Sequence, residues 1–228
     1  MPRITALTCV IYDGTILPPV LRPHSHRASA DSAASANERE LRLLSRVALQ
    51  DRDAFRELYV IYHRRLSRFI SRLTSRHELA EEIINDTMWT VWKKAAGFRA
   101  ASRVSTWILG IAYRQSLMTF RRANSHPLGD EPVGREAAVA EDSHALAETR
   151  EWLEHALVQL PLEQRMVIEL TYFLGHSCDE IAAIMDCPVN TVKTRMFYAR
   201  RKLKINLLAM ESESPVAKRM VPSDRDAE

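Results

Sequence analysis

Two stretches of this chain combine cations and ring side chains with no acid among them. Between Val189 and Met210 there is no Asp or Glu, while Lys193, Arg195, Arg200, Arg201, Lys202 and Lys204 accompany Phe197 and Tyr198. Acids are absent again from Ala95 to Gly129, where Arg99, Arg103, Arg114, Arg121 and Arg122 are interspersed with Phe98, Trp107, Tyr113 and Phe120. The chemistry open to such residues is recognition of nucleic acid, because guanidinium and ammonium groups neutralise phosphate and rings stack on bases. Each stretch also has a plainer reading. Most helical aromatics are core, and Trp107 within "STWILGIA" reads as core. Cations near a helix C-terminus complement its macrodipole, which covers Arg200 to Lys204 but not Lys193 and Arg195 at the other end.

The elements that must position these residues are all helical. Around the second cationic stretch, Ser177 and Glu180 have capping-box spacing for a short helix ending near Met185. Asp186 tolerates a left-handed turn, and Asn190 is a good N-cap for the last helix. In that helix Val192, Met196, Ala199 and Leu203 make the core stripe, so Thr194, Phe197, Tyr198, Arg201 and Lys204 point outward. A short helix, a tight turn and a basic helix is the helix-turn-helix layout, whose second helix enters the major groove with its first turns on base edges. Upstream, "LEQRMVIELTYFLG" starts after Pro161 and stops at Gly175, a C-cap residue.

The first cationic stretch follows "LAEEIINDTMWTVWKKA". Here "SRHE" at 75–78 predicts a capping box from Ser75 and Glu78. Ile84, Met88, Val91 and Ala95 form the buried stripe at 100° per residue, leaving Glu82, Asp86, Trp89 and Lys93 facing out. An exposed Trp among acids is either a solvated face on which Trp89 covers a neighbouring helix or an anchor for a partner protein. Before it, Leu41, Leu44, Val47 and Ala48, then Phe55, Leu58, Ile61 and Tyr62, repeat with helical period.

The 228 residues, with 46% hydrophobic and 27% charged side chains, suit one or two soluble domains. Composition divides them. Residues 1–38 read as a disordered extension, Pro-rich and then small and polar. Residues 123–144, "ANSHPLGDEPVGREAAVAEDSH", read as a flexible acidic linker, and 209–228 as a disordered tail. The expected architecture is all-α: helical domains at 39–122 and 145–208 joined by that linker, the second a helix-turn-helix of winged-helix-like class. Three cysteines without CxxC spacing point to a reducing, cytoplasmic setting and to no disulfide framework. His176, Cys178 and Cys187 are the one set that could converge on a metal, and no metal or cofactor is expected. The broken apolar start does not make a signal peptide, and no run approaches the roughly 18 apolar residues of a membrane span, so no membrane insertion is expected. No GxGxxG, P-loop or HExxH is present, which speaks against an enzyme and leaves no candidate catalytic residue.

Taken together, "AEEIINDTMWTVWKK", "FRAASRVSTWILGIA" with Arg121-Arg122, and "LPLEQRMVIELTYFLGHSCDEIAAIMDCPVNTVKTR" with "ARRKL" resemble the bacterial RNA polymerase sigma factors of the extracytoplasmic-function group, which keep sigma regions 2 and 4. The resemblance spans about 41–206. It implies a promoter-specificity subunit, with core RNA polymerase bound through Glu82, Asn85, Asp86 and Trp89. It implies that Phe98, Arg99, Ser102, Arg103, Arg114, Met118, Arg121 and Arg122 recognise and open the −10 element, holding an unpaired base of the melted non-template strand. It places Thr191, Lys193, Thr194, Phe197 and Tyr198 on duplex −35 DNA, with Arg195 and Arg200 on phosphate, and it implies control by an anti-sigma factor. The family often has Arg-Asn where this chain has Tyr113-Arg114, Arg or His at Tyr198, and Asp at Met118. These departures bear on which promoter sequence is read. A stand-alone helix-turn-helix regulator is the rival reading; it leaves the first segment without a task and predicts promoter binding without polymerase.

Overall fold

The computed structural model describes residues 10–12, 15–17, 30–125 and 152–213. Helices α1 (Ala30–Ala48), α2 (Arg52–Ile70), α3 (His77–Lys94) and α4 (Val104–Ser125) form the first segment, with a 3-10 turn at Ala95–Gly97. The second segment consists of α5 (152–158), α6 (Leu162–Ile168) running into a π-helical turn at Glu169–Phe173, α7 (Cys178–Met185) and α8 (Val189–Glu213). Its described residues are helix and turn only, with no wing strand.

The apolar periods place the core where they predict it. Ile84, Met88, Val91 and Ala95 are buried, joined by Ala80, Ile83 and Thr87. Leu44, Val47, Leu58 and Tyr62 close the other side of the first segment, while Phe55, Leu41 and Ile61 are half-buried. Glu40 is a buried acid, 4% exposed. It accepts from the Tyr62 hydroxyl at 2.6 Å and from Arg65 at 2.5 Å, which satisfies the carboxylate inside the core. Burial first, and then the Glu40 charge, push the Tyr62 phenol well above its ordinary range.

Local signals fare unevenly. Ser177 accepts from the Glu180 amide at 3.2 Å and Glu180 from the Ser177 amide at 3.0 Å, so this capping box is formed. Asp186 is left-handed (φ 50°) and Gly175 has φ 71°, closing α7 and the π-helical turn as expected. The Ser75–Glu78 box is not formed: Arg76 is the N-cap of α3 without a side-chain cap bond, and the Thr74 hydroxyl instead accepts from the Arg76 amide. Asn190 is inside α8, since the Pro188 carbonyl already accepts from Thr191 and Val192.

The element boundaries also differ from the reading of composition. Helix α1 begins at Ala30, nine residues before residue 39, because an Ala-rich run has the highest helix propensity and extends an amphipathic helix at little cost. Two short strands, β1 (Val10–Tyr12) and β2 (Thr15–Leu17), pair antiparallel with Val10 opposite Leu17. Helix α4 continues to Ser125 and α8 to Glu213. The rest of the expected linker and tails lies outside the described residues.

The two segments pack against each other. Helix α4 lies on α3 on one side and on α7 on the other. Gly110 makes the second contact possible: a Cβ there would come within 3.4 Å of the Ile184 carbonyl oxygen.

Candidate nucleic-acid and polymerase interface

On α8 the expected split between core and probe is present. Val192, Met196, Ala199 and Leu203 are buried, while Lys193 and Thr194 are exposed, Phe197 is 61% exposed and Tyr198 50%. The Phe197 and Tyr198 rings meet edge-on at 5.5 Å between centroids, an apolar ridge beside Lys193. The Thr194 hydroxyl donates to the Asn190 carbonyl at 2.8 Å, which fixes its rotamer and leaves its lone pairs outward. Thr191 is half-buried.

Arg195 and Arg200 each have a partner within the second segment. The Arg195 guanidinium, 23% exposed, pairs with Glu163 of α6 and lies 3.6 Å from the Cys187 sulfur. Arg200 leans over the Tyr172 ring, 5.7 Å from its centroid. Both partners come from helices more than 25 residues away, so spacing along α8 could not reveal them.

On the first segment, Arg99, Arg103, Arg114, Arg121 and Arg122 are exposed, Met118 is largely exposed, and Ser102 is half-buried. The Phe98 ring packs on Trp107 with centroids 5.1 Å apart and planes tilted by 50°. Trp107 is half-buried and packs against the core, and its open side, with Lys93, Lys94, Arg114 and Met118, lines a cavity of about 410 Å³ between α3 and α4. Trp107, Lys94 and Gln115 are therefore interface candidates that helical period alone missed. Tyr113, in contrast, is buried and faces the second segment. Burial and the Glu163 charge push its phenol up, while Arg195 pulls the other way by charge and hydrogen bond.

Among the four polymerase-facing candidates Glu82, Asn85 and Trp89 are exposed and Asp86 is half-buried. Trp89 is 56% exposed with the Lys93 ammonium 4.7 Å from its ring centroid. Asn85 accepts from the Tyr59 hydroxyl at 3.0 Å, tying α2 to this face. An apolar groove of about 560 Å³ adjoins Trp89, lined by Phe55, Tyr59, Trp92 and the stems of Arg52 and Arg56. The signal for it was the i, i+4 ring pair Phe55–Tyr59, of which the helical period picked out only Phe55. Among the described residues no group of three or more His, Cys, Asp or Glu could hold a metal ion, and no helix is long and apolar enough to cross a membrane.

The family model for Sigma-70 region 2 matches residues 58–126, and that for Sigma-70 region 4 matches residues 150–203. The chain is similar to the ECF RNA polymerase sigma factor SigM of Mycobacterium tuberculosis (strain H37Rv), 35% identical over 162 residues covering 71% of this chain and 81% of that protein. It is similar to the ECF RNA polymerase sigma-E factor of Escherichia coli (strain K12), 29% identical over 173 residues covering 71% and 90%. Among solved structures, CnrH in complex with the cytosolic domain of CnrY shares the fold, with TM-score 0.57 and 22% identity over 77% of this chain and 99% of that one. The sigma factor RpoE in complex with the anti-sigma factor NepR from Bartonella quintana matches with TM-score 0.53 and 27% identity over 67% and 96%.

Proposed function

The chain belongs to the extracytoplasmic-function group of RNA polymerase sigma factors and directs polymerase to promoters; from that footing we propose which of its surfaces does which part of the work. Region 2, on α2 to α4, binds core polymerase through Glu82, Asn85, Asp86 and Trp89, and the groove beside Trp89 receives the partner's apolar side chains. Sigma region 2 also takes the −10 element on the face bearing Arg114, Met118, Arg121 and Arg122, with Phe98, Arg99, Ser102 and Arg103 in the loop before it. Holding an extruded base there must offset a few kcal/mol of unstacking, and the preformed Phe98–Trp107 pair supplies rings without further ordering. Region 4, on α5 to α8, reads −35 DNA through Lys193, Thr194, Phe197 and Tyr198. Thr191 borders that surface.

The observation that carries this assignment is that two acid-free cationic surfaces, on separate halves matched separately by regions 2 and 4, both face outward. The chain itself performs no chemistry; the polymerase does, in the cytoplasm where promoter and polymerase meet. An anti-sigma factor controls it, a reading supported by the likeness to RpoE bound to NepR. The polymerase surface is tested by Asp86→Lys with Trp89→Ala. Equilibrium binding to core polymerase is expected to fall by at least tenfold, and unchanged binding would place the interface elsewhere.

A further inference from the structure

We propose that Gln115 reads one base of the melted strand in the cavity between α3 and α4, and that Thr90 sets what it reads. The base selected is one that carries an amino group on its major-groove edge, adenine or cytosine, in preference to guanine or thymine, which carry a carbonyl there. This rests on the assignment of −10 reading to the α4 face.

The cavity is built from one face of each helix. Thr90 and Lys94 stand one turn apart on α3, and Trp107, Ile111, Gln115 and Met118 follow one another at helical spacing on α4. The space is about 410 Å³, and among the described residues that line it there is no acid. Trp107 gives one side to the Phe98 ring and the other to this space, so an entering base meets an aromatic wall already held in place. Ile111 and Met118 add apolar surface, while the exposed Lys94 and Arg114 are available to the phosphates of the strand. Stacking and phosphate pairing serve every base alike. Thr90 and Gln115 supply the hydroxyl and the amide of the lining, and discrimination falls to them.

Their hydrogen bonds have a direction. The Thr90 hydroxyl donates its single hydrogen to the Asp86 carbonyl at 2.8 Å. Toward Gln115 it can then only accept, and Gln115 Nε2 donates to it at 3.4 Å. This relay fixes which way round the Gln115 amide lies, a choice that the shape of an amide leaves open. The nitrogen is engaged with α3, and Oε1 is left as the acceptor for a ligand. Adenine N6 and cytosine N4 are donors on the major-groove edge, whereas guanine O6 and thymine O4 are acceptors. Against Oε1 the first pair makes a hydrogen bond; the second sets two acceptors face to face, which costs more than a missing bond. Gln115 is thus a specificity-determining residue by contact, and Thr90 is a positioning residue that acts through it. Without the Thr90 hydroxyl the amide can turn over and offer either end, so the choice among bases is lost while the ring and the cations remain.

The test uses core polymerase carrying the full-length chain and a promoter fragment found by start-site mapping, with its melted non-template segment single-stranded and randomised. Bound DNA is sequenced. With the wild type, one position of the segment is expected to be enriched in adenine and cytosine over guanine and thymine by about five- to tenfold. Gln115→Ala, and Thr90→Val, which keeps the branched shape without the hydroxyl, should each bring that ratio to within about twofold of unity at that position alone. Gln115→Lys, a donor only, should invert it. Weaker binding with the wild-type preference retained is what a merely structural role would give, and it overturns the inference. A preference levelled by Gln115→Ala but kept in Thr90→Val overturns the relay, and a wild-type preference for guanine or thymine at the position that Gln115→Ala levels overturns the assigned polarity. If the wild type enriches bases that neither variant alters, the −10 assignment stands and this inference alone falls; if it enriches no base at any position, the −10 assignment falls and the inference with it.

Discussion

Lys193 and Arg195 are two residues apart on the same cationic helix, yet they differ in exposure and pairing, and salt dependence separates the work proposed for each. Lys193 is exposed at the first turns of α8, and Phe197 and Tyr198, about one turn on, are exposed too. The Arg195 side chain is 23% exposed and paired with Glu163, within the same half. A cation that neutralises one phosphate contributes about 0.9 to the slope of log affinity against log salt. Removing it should flatten the slope by that amount, so the loss of affinity between 50 and 200 mM salt shrinks by about threefold. Lys193→Ala is expected to do this for polymerase carrying the chain on a −35-containing duplex, followed by fluorescence anisotropy across a salt series. Arg195→Ala should leave the slope unchanged and lower the stability of the chain by about 1 kcal/mol, the scale of a partly exposed pair. If Arg195→Ala flattens the slope as much as Lys193→Ala, or if Lys193→Ala leaves it unchanged, the division of α8 into probe and scaffold is wrong.

Two further substitutions probe acids held by partners, Glu40 buried and Glu180 half-buried. Glu40→Ala leaves the buried Tyr62 hydroxyl without its acceptor and takes the counter-charge from Arg65; a stability loss of about 2–3 kcal/mol in urea titration is expected, and a loss below about 0.5 kcal/mol would contradict the buried network. For Glu180, the hydrogen bond from His176, the Ser177 amide and the Arg103 charge hold the carboxyl at about 2 against an ordinary 4.5. A depressed folded-state value means that the stabilisation is complete above 4.5 and is lost as pH falls toward 2. The stability difference between wild type and Glu180→Gln should therefore shrink across that window; a difference that stays constant down to pH 2 would show that these contacts do not hold the charge.

What could be read from sequence follows from the range of the interactions involved. The α3 stripe Ile84, Met88 and Val91 repeats within one helix, and the Ser177–Glu180 box closes over three residues, so both were legible. Ser75–Glu78 has the same letters, but Thr74 and Arg76 settle the helix start differently, a competition among neighbours that spacing does not rank. The candidate site was legible where exposure follows from period, as at Lys193, Phe197 and Trp89. It was not where a partner arrives from elsewhere: Glu163 on Arg195, Tyr172 under Arg200, and the second half of the chain over Tyr113. Trp107 was legible only in part: it packs on the core as a Trp in an apolar run does, but its other side meets the Phe98 ring and an open cavity, which no period marks. The packing of α4 on α7 depends on the absence of a side chain at Gly110, which no hydrophobic pattern marks.

The most direct measurement of the central claim is transcription from a genomic fragment library by core polymerase with and without this chain, with start sites mapped by sequencing of 5′ ends. The account predicts new initiation confined to a small promoter set sharing a −35 and a −10 element at fixed spacing, lost with Asp86→Lys and Trp89→Ala. Initiation unchanged by the chain, together with sequence-specific binding of the chain to duplex promoter in the absence of polymerase, would contradict it.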